Sequence, residues 1–260
     1  RILRAIRFEQ RYGFQIEADT LRFAQDAIER RLLGKLSYKR VLQELILILG
    51  EKDPVPSLVR MCEIGVWKYI LPEVDLRDVD LTTMRRVSII SVWWNERYLK
   101  MDLKPWIVYL MVIIAHLGPE AVNSLAERFR LSGYAQECIM DSRRVDQVLA
   151  KLEDPSVRPS VLDEVLDGWH PESIVFLLLS IRSEETWDRL VAYLDAKERV
   201  QVAINGNDLK KAGVKPGPLY SHILKELYKL RLDGVINNRE GELNMLNKWL
   251  KEGLSIEPDS

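Results

Sequence analysis

Histidine and cysteine are scarce: three and two respectively among 260 residues. Cys62 and Cys138 stand far apart and show no metal-ligand spacing, so neither a zinc site nor a disulfide framework is expected. Both are read as reduced thiols in helical cores. His116, His170 and His222 have no ligand-type neighbours in sequence and are read as core or surface residues. No glycine-rich phosphate loop is present. No closely spaced aspartate pair lies on a strand, as two-metal phosphoryl transfer would require. The segment 164–170, EVLDGWH, gathers acids and a histidine, but a solvated helix end accounts for it. No nucleophile or general base is therefore assigned, and no catalytic or metal-binding residue is expected within the chain. The longest apolar run, Trp106 to Ala115, is about half a membrane span. With no signal segment either, a soluble cytoplasmic protein without a membrane partner is expected.

Net charge is also nearly absent, with 38 basic residues against 39 acidic ones. The total says nothing about a polyanionic partner, but its distribution does. Residues 1–44 carry ten Lys/Arg against six Asp/Glu, and residues 205–232 carry six against two. Two basic zones are separated by an acidic bulk.

What the chain has in abundance is helical periodicity. On a wheel of roughly 100° per residue, Ile2, Leu3, Ala5 and Ile6 form one face of a first helix, over residues 1–12. Arg1, Arg4, Arg7 and Arg11 form the opposite stripe, with Phe8 set among the guanidinium groups. Gly13 ends this helix. A second helix is predicted from Leu21 to Leu33, capped by Asp19 or Thr20 and stopped by Gly34. A third runs from Tyr38 to Leu49 with Ser37 as its cap. Further helices are predicted at 57–63, 81–98, 103–116, 120–129, 133–152, 158–168, 171–181, 183–199, 207–213, 219–231 and 240–251. Residues 65–74 read as a short apolar turn or helix broken by Pro72. Residues 200–207 read as an extended linker, because an isolated strand would have no pairing partner. Short connections between amphipathic helices predict an all-α array with no substantial sheet. There is no initiator methionine and the first residue already lies within a helical pattern, so the chain is expected to be the remainder of a longer protein.

Three features carry binding chemistry. The first is the arginine stripe, whose guanidinium groups can bond phosphates and base edges bidentately. A purely structural alternative pairs those arginines with Glu9, Glu17 or Glu44. The second is Arg40 with Glu44, one turn apart on an otherwise strongly apolar helix. A partly buried ion pair is expected there, orienting other polar groups. The third is NGNDLKKAGVKPGP, residues 205–218, in which Lys210, Lys211 and Lys215 flank a turn that runs into a helix start. That arrangement suits phosphate, although a plain helical hairpin would look similar.

In this order the three features resemble the class II tRNA nucleotidyltransferases, the CCA-adding and A-adding enzymes, and the bacterial poly(A) polymerases related to them. RILRAIRFEQRYGFQIEADT resembles that family's Arg-x-x-Arg-Ala-x-Arg-Phe segment with its Gly-Phe turn. YKRVLQELILIL resembles the later Arg-x-x-x-Glu-Leu motif. INGNDLKKAGVKPGPLYSHILKELYKLRLDGVINNREGEL resembles the tail, particularly of A-adding and poly(A)-type members. The likeness spans most of the chain and is weakest between about 75 and 200.

The resemblance implies a neck over residues 1–75, a helical body over 76–200 and a tail over 201–260. The catalytic head, with two metal-binding aspartates, is expected to lie outside this chain, and Mg2+ with it. Arg1 matches the final arginine of the family's Glu-Asp-x-x-Arg base-selecting motif, whose acids would precede residue 1. Arg4 and Arg7 are implied as neighbouring arginines facing the nucleotide or primer. Arg40 and Glu44 are implied as the brace of the templating helix. Arg11, Lys210, Lys211 and Lys215 are implied RNA contacts. ATP, perhaps with CTP, is the implied substrate; tRNA and the head are the implied partners. The chain alone is expected to be inactive. A stand-alone helical RNA-binding adaptor and a helical protein–protein scaffold are the alternatives.

Overall fold

The structure, a computed structural model, describes residues 1–30, 32, 37–99 and 102–252. Sixteen α-helices are present among them, and no strand. In chain order these are α1 (Ile2–Tyr12), α2 (Ala18–Glu29), α3 (Tyr38–Leu49), α4 (Val55–Ile64), α5 (Trp67–Ile70), α6 (Leu81–Arg97), α7 (Pro105–Ile114) and α8 (Pro119–Phe129). There follow α9 (Gly133–Ser142), α10 (Val145–Glu153), α11 (Pro159–Val165), α12 (Pro171–Ser180), α13 (Glu184–Arg199), α14 (Gly206–Lys211), α15 (Pro218–Leu232) and α16 (Arg239–Lys251). The chain divides into two compact units. One comprises residues 1–145 with 169–180; the other comprises 146–168 with 181–260.

The first unit is built around α7. Its sequence, PWIVYLMVII, is apolar all round, and every residue from Ile107 to Ile114 is buried. A helix with no polar face has to be enclosed by its neighbours. Here α3, α6, α9 and α12 enclose it, and α1, α2 and α5 are added on the α3–α4 side. Glu172 opens α12 at 0% exposure. A carboxylate there is tolerable only if its oxygens are bonded. It accepts from the Lys104 backbone N–H at 2.7 Å and the Tyr134 hydroxyl at 2.5 Å.

The second unit packs Ile204, Leu209, Val214, Ile223, Leu227, Ile236 and Leu246 into a separate core. The stretch before α14 is extended, as predicted, and its N–H groups have no strand to pair with. The carboxylate of Glu242 takes them instead, accepting from Ala203 N–H and Ile204 N–H at 2.9 Å each.

Several predicted boundaries differ: α2 ends at Glu29 rather than Leu33, α7 is shorter than expected at both ends, and three further differences have a visible cause. α2 starts at Ala18, so Asp19 sits inside its first turn beside Arg22 rather than capping it. An acid at that position still complements the helix dipole. The predicted stop at Gly34 lies outside the described residues. The single helix predicted over 133–152 is two, α9 and α10. Arg143 lies between them, and its guanidinium donates to the carbonyls of Ala115 and Ile114 at 3.0 and 3.2 Å. This satisfies the open C-terminal end of α7. α14 begins at Gly206, one residue earlier than expected, because Asn205 caps it in a reciprocal capping box with Asp208.

Candidate functional site

The site grows from α1. Leu3 and Ile6 are buried against α3 and α4, which leaves the opposite face of the helix outward. Arg1, Arg4 and Arg11 are exposed, whereas Arg7 retains only 9% exposure. The difference is one of angle: Arg7 stands roughly 40° from Leu3 on the wheel, at the edge of the apolar face. Its Nη1 reaches Glu51 Oε1 at 3.1 Å, and Arg11 shares the same oxygen at 3.3 Å. Arg7, expected among the outward arginines, is thus committed to an internal pair. Arg1 and Arg4 form no salt bridge among the described residues. The Arg4 and Arg7 guanidinium carbons lie 5.3 and 4.8 Å from the Phe8 ring centroid, within cation–π range.

The far side of α1 is fixed by Glu9. Its carboxylate receives Arg60 Nε at 2.8 Å and the Ile16 N–H at 3.2 Å. Burial pushes the Glu9 carboxyl up, but the Arg60 and Ile16 hydrogen bonds outweigh it and hold the pKa below the usual carboxylate value. One acid thereby ties α1, the turn after Gly13 and α4 together.

Between α1, α2, α3 and α5 lies a cavity of about 610 Å³. Ile2, Leu3, Val41, Val66 and Ile70 provide an apolar lining. Arg1, Arg40, Gln43, Glu44 and Tyr69 add polar groups. Arg1 is thus brought to the same cavity as Arg40 and Glu44, about forty residues later. The ion pair expected between Arg40 and Glu44 does not form. Arg40 is exposed in the first turn of α3, where the positive end of the helix dipole disfavours a cation, and the Arg-before-Glu order is the weaker one. Glu44 Oε2 is buried with no hydrogen-bond partner. The cavity combines rigid guanidinium donors with one unsatisfied acceptor, a set that suits a planar polar group such as a nucleobase.

In the second unit Lys210, Lys211 and Lys215 are all exposed, and none forms a salt bridge among the described residues. The nearby acid Asp208 is already engaged by Arg239 at 2.6 Å and by the Asn205 N–H. The three lysines surround the Gly213 turn (φ 89°) that leads into α15.

The remaining candidates have structural roles. His170 Nε2 meets Glu137 at 2.8 Å, and its ring packs against Tyr134 at 4.2 Å, tilted by 35°. Cys62 and Cys138 are both free thiols, and burial pushes the Cys138 thiol up to about 12. Among the described residues no group of three or more His, Cys, Asp or Glu could hold a metal ion. No described helix is long and apolar enough to cross a membrane. Gln43, Tyr69 and Glu51 were not singled out from sequence. Gln43 and Tyr69 belong to segments that read as apolar, a helix over 38–49 and a short turn or helix over 65–74, where a single polar group does not stand out. Glu51 follows Gly50 in a turn, where no periodicity reports which way a side chain faces.

A family described as the probable RNA and SrmB-binding site of polymerase A matches residues 13–77. The A-adding tRNA nucleotidyltransferase of Geobacter sulfurreducens is 32% identical over 253 residues, spanning 94% of this chain and 28% of that protein. The Thermotoga maritima CCA-adding enzyme complexed with tRNA is similar in structure, with a TM-score of 0.76 and 27% identity. The match covers 96% of this chain and 60% of that one. A CCA-adding enzyme complexed with ATP gives a TM-score of 0.75 at 25% identity, covering 99% of this chain and 61% of that one. The chain thus spans about a quarter of the first of these relatives and three fifths of the solved chains.

Proposed function

We infer that the chain belongs to the tRNA nucleotidyltransferase family, and from that premise we propose that it acts as the RNA-binding and nucleotide-selecting part of an enzyme that adds A, or CCA, to tRNA 3′ ends. The observation that carries this reading is the α1–α3 cavity, where Arg1, Arg40 and Glu44 line one space with an apolar floor. Arg1 presents its guanidinium plane to the base of ATP, or of CTP. Glu44 supplies the acceptor inside, and Arg40 offers a donor at the rim. Arg4 and Arg11 meet primer phosphates. Arg7 holds Glu51 and Phe8, and so positions α1 rather than touching the nucleotide itself.

Residues 1–75 form the selecting and gripping neck in this reading, 76–200 the body and 201–260 the tail. Lys210, Lys211 and Lys215 make phosphate contacts that position RNA without reading its sequence. We assign no step of nucleotide transfer to the described residues, among which no group of three or more His, Cys, Asp or Glu could hold a metal ion. The transfer chemistry belongs to a catalytic head outside the matched segment, and this chain by itself adds no nucleotide.

Equilibrium binding of ATP tests the cavity. Arg1→Ala and Glu44→Gln should each weaken ATP binding by about fivefold or more, with the melting temperature unchanged for Arg1→Ala. Unaltered affinity in both variants would overturn the assignment. Incorporation of labelled AMP by this chain with ATP and Mg2+ would contradict the separation of selection from chemistry.

A further inference from the structure

The end of α1 carries a feature that nucleotide selection does not use. Phe8, Tyr12 and Phe14 form a continuous run of rings, with centroid separations of 5.7 and 5.5 Å. Tyr12 and Phe14 lie nearly parallel, at 30°. They meet because Gly13 adopts the left-handed conformation at φ 68°, which folds the chain back directly after Tyr12. Tyr12 is 54% exposed and Phe14 64%, so neither ring is accounted for by core packing. Guanidinium groups border the run: Arg4 and Arg7 lie over Phe8, and Arg11 lies 5.4 Å from the Tyr12 centroid. Arg4 has no salt-bridge partner among the described residues.

Exposed aromatic faces alternating with cations are what unpaired nucleotides require, since bases stack on the rings while phosphates meet the guanidinium groups. The positive charge beside the rings disfavours a purely apolar protein segment as the occupant. On the RNA-binding reading above, we propose that Tyr12 and Phe14, backed by Phe8, form a stacking rail for the single-stranded 3′ nucleotides of the bound RNA. The rail acts on bases through their π faces, so it grips without selecting sequence, whereas the α1–α3 cavity selects.

The test uses a labelled RNA hairpin with a short unpaired 3′ overhang, and a second hairpin whose overhang is abasic. The purified protein should bind the base-bearing hairpin roughly tenfold more tightly, and Tyr12→Ala/Phe14→Ala should abolish that preference while leaving abasic binding unchanged. Tyr12→Phe/Phe14→Tyr should retain it. Thermal melting verifies that the alanine variant still folds, as expected for two half-exposed rings. If the parent protein binds both hairpins equally, the rail is wrong while RNA binding stands. If the alanine variant weakens both hairpins equally, the rings support the fold or another segment and the rail is again wrong. If neither hairpin binds, the RNA-binding reading itself falls, and the rail with it.

Discussion

Glu51 carries more of the neck than its place in a turn suggests. It is the acid that faces Arg7, a guanidinium with 9% exposure. Glu51→Gln should therefore lower stability by about 1–2 kcal/mol, because a buried cation loses its counter-charge. Thermal melting of the variant checks this; no change would mean that Arg7 is solvated in solution. Glu73 plays a comparable part beneath α8, where it receives both terminal nitrogens of Arg128. Those hydrogen bonds hold its carboxyl below the usual value of 4.5. A carboxylate with a depressed pKa stabilises the fold above its unfolded pKa, and the gain disappears as pH falls through the folded value. Glu73→Gln should thus cost stability at pH 7 and progressively less below about pH 4.5. An equal loss at pH 7 and pH 3.5 would show that the pair contributes packing alone. The arginine stripe was legible in sequence because helical periodicity fixes angles. That Arg7 turns inward while Arg1 and Arg4 stay exposed was not, because the decision rests on Glu51, forty-four residues beyond Arg7.

At the scale of elements, most of the helical array could be read from apolar spacing, proline starts and glycine stops. α1, α3 and α6 lie within a residue of expectation. Two features rest on a long-range side chain that satisfies a helix end or a backbone group, which local spacing does not report. Arg143 caps α7 and so separates α9 from α10. Glu242 replaces a strand partner for residues 203 and 204. This second case has a sharp consequence. Glu242 is 0% exposed and also faces Arg231 at 3.3 Å, so Glu242→Ala leaves two backbone N–H groups and a guanidinium without their acceptor. A loss of about 3 kcal/mol or more is expected, with a fall in melting temperature on the order of 10 °C in the second unit. Retention of wild-type stability would show that water can take over the role of the carboxylate. The Arg40–Glu44 pair shows the limit of local spacing. One turn of separation brought both residues to the cavity, but it did not bring their charges together.

For the whole molecule, charge distribution matters more than total charge. A chain of net charge −1 still places ten basic residues in its first 44 and six in residues 205–232. In the structure the exposed arginines of α1 and the exposed lysines around Gly213 keep those zones available to a polyanion. Phosphate contacts release counterions, so binding through them weakens steeply as salt rises. The most direct test of the account is tRNA affinity measured across a salt series, for the parent chain and for Arg1→Ala/Arg4→Ala. Arg7 is left intact in that variant because its removal would disturb the fold. Salt-dependent binding is expected for the parent and weaker binding for the variant, with a salt slope shallower by about one to two ions. Binding that is absent, insensitive to salt, or identical in the two proteins would contradict it.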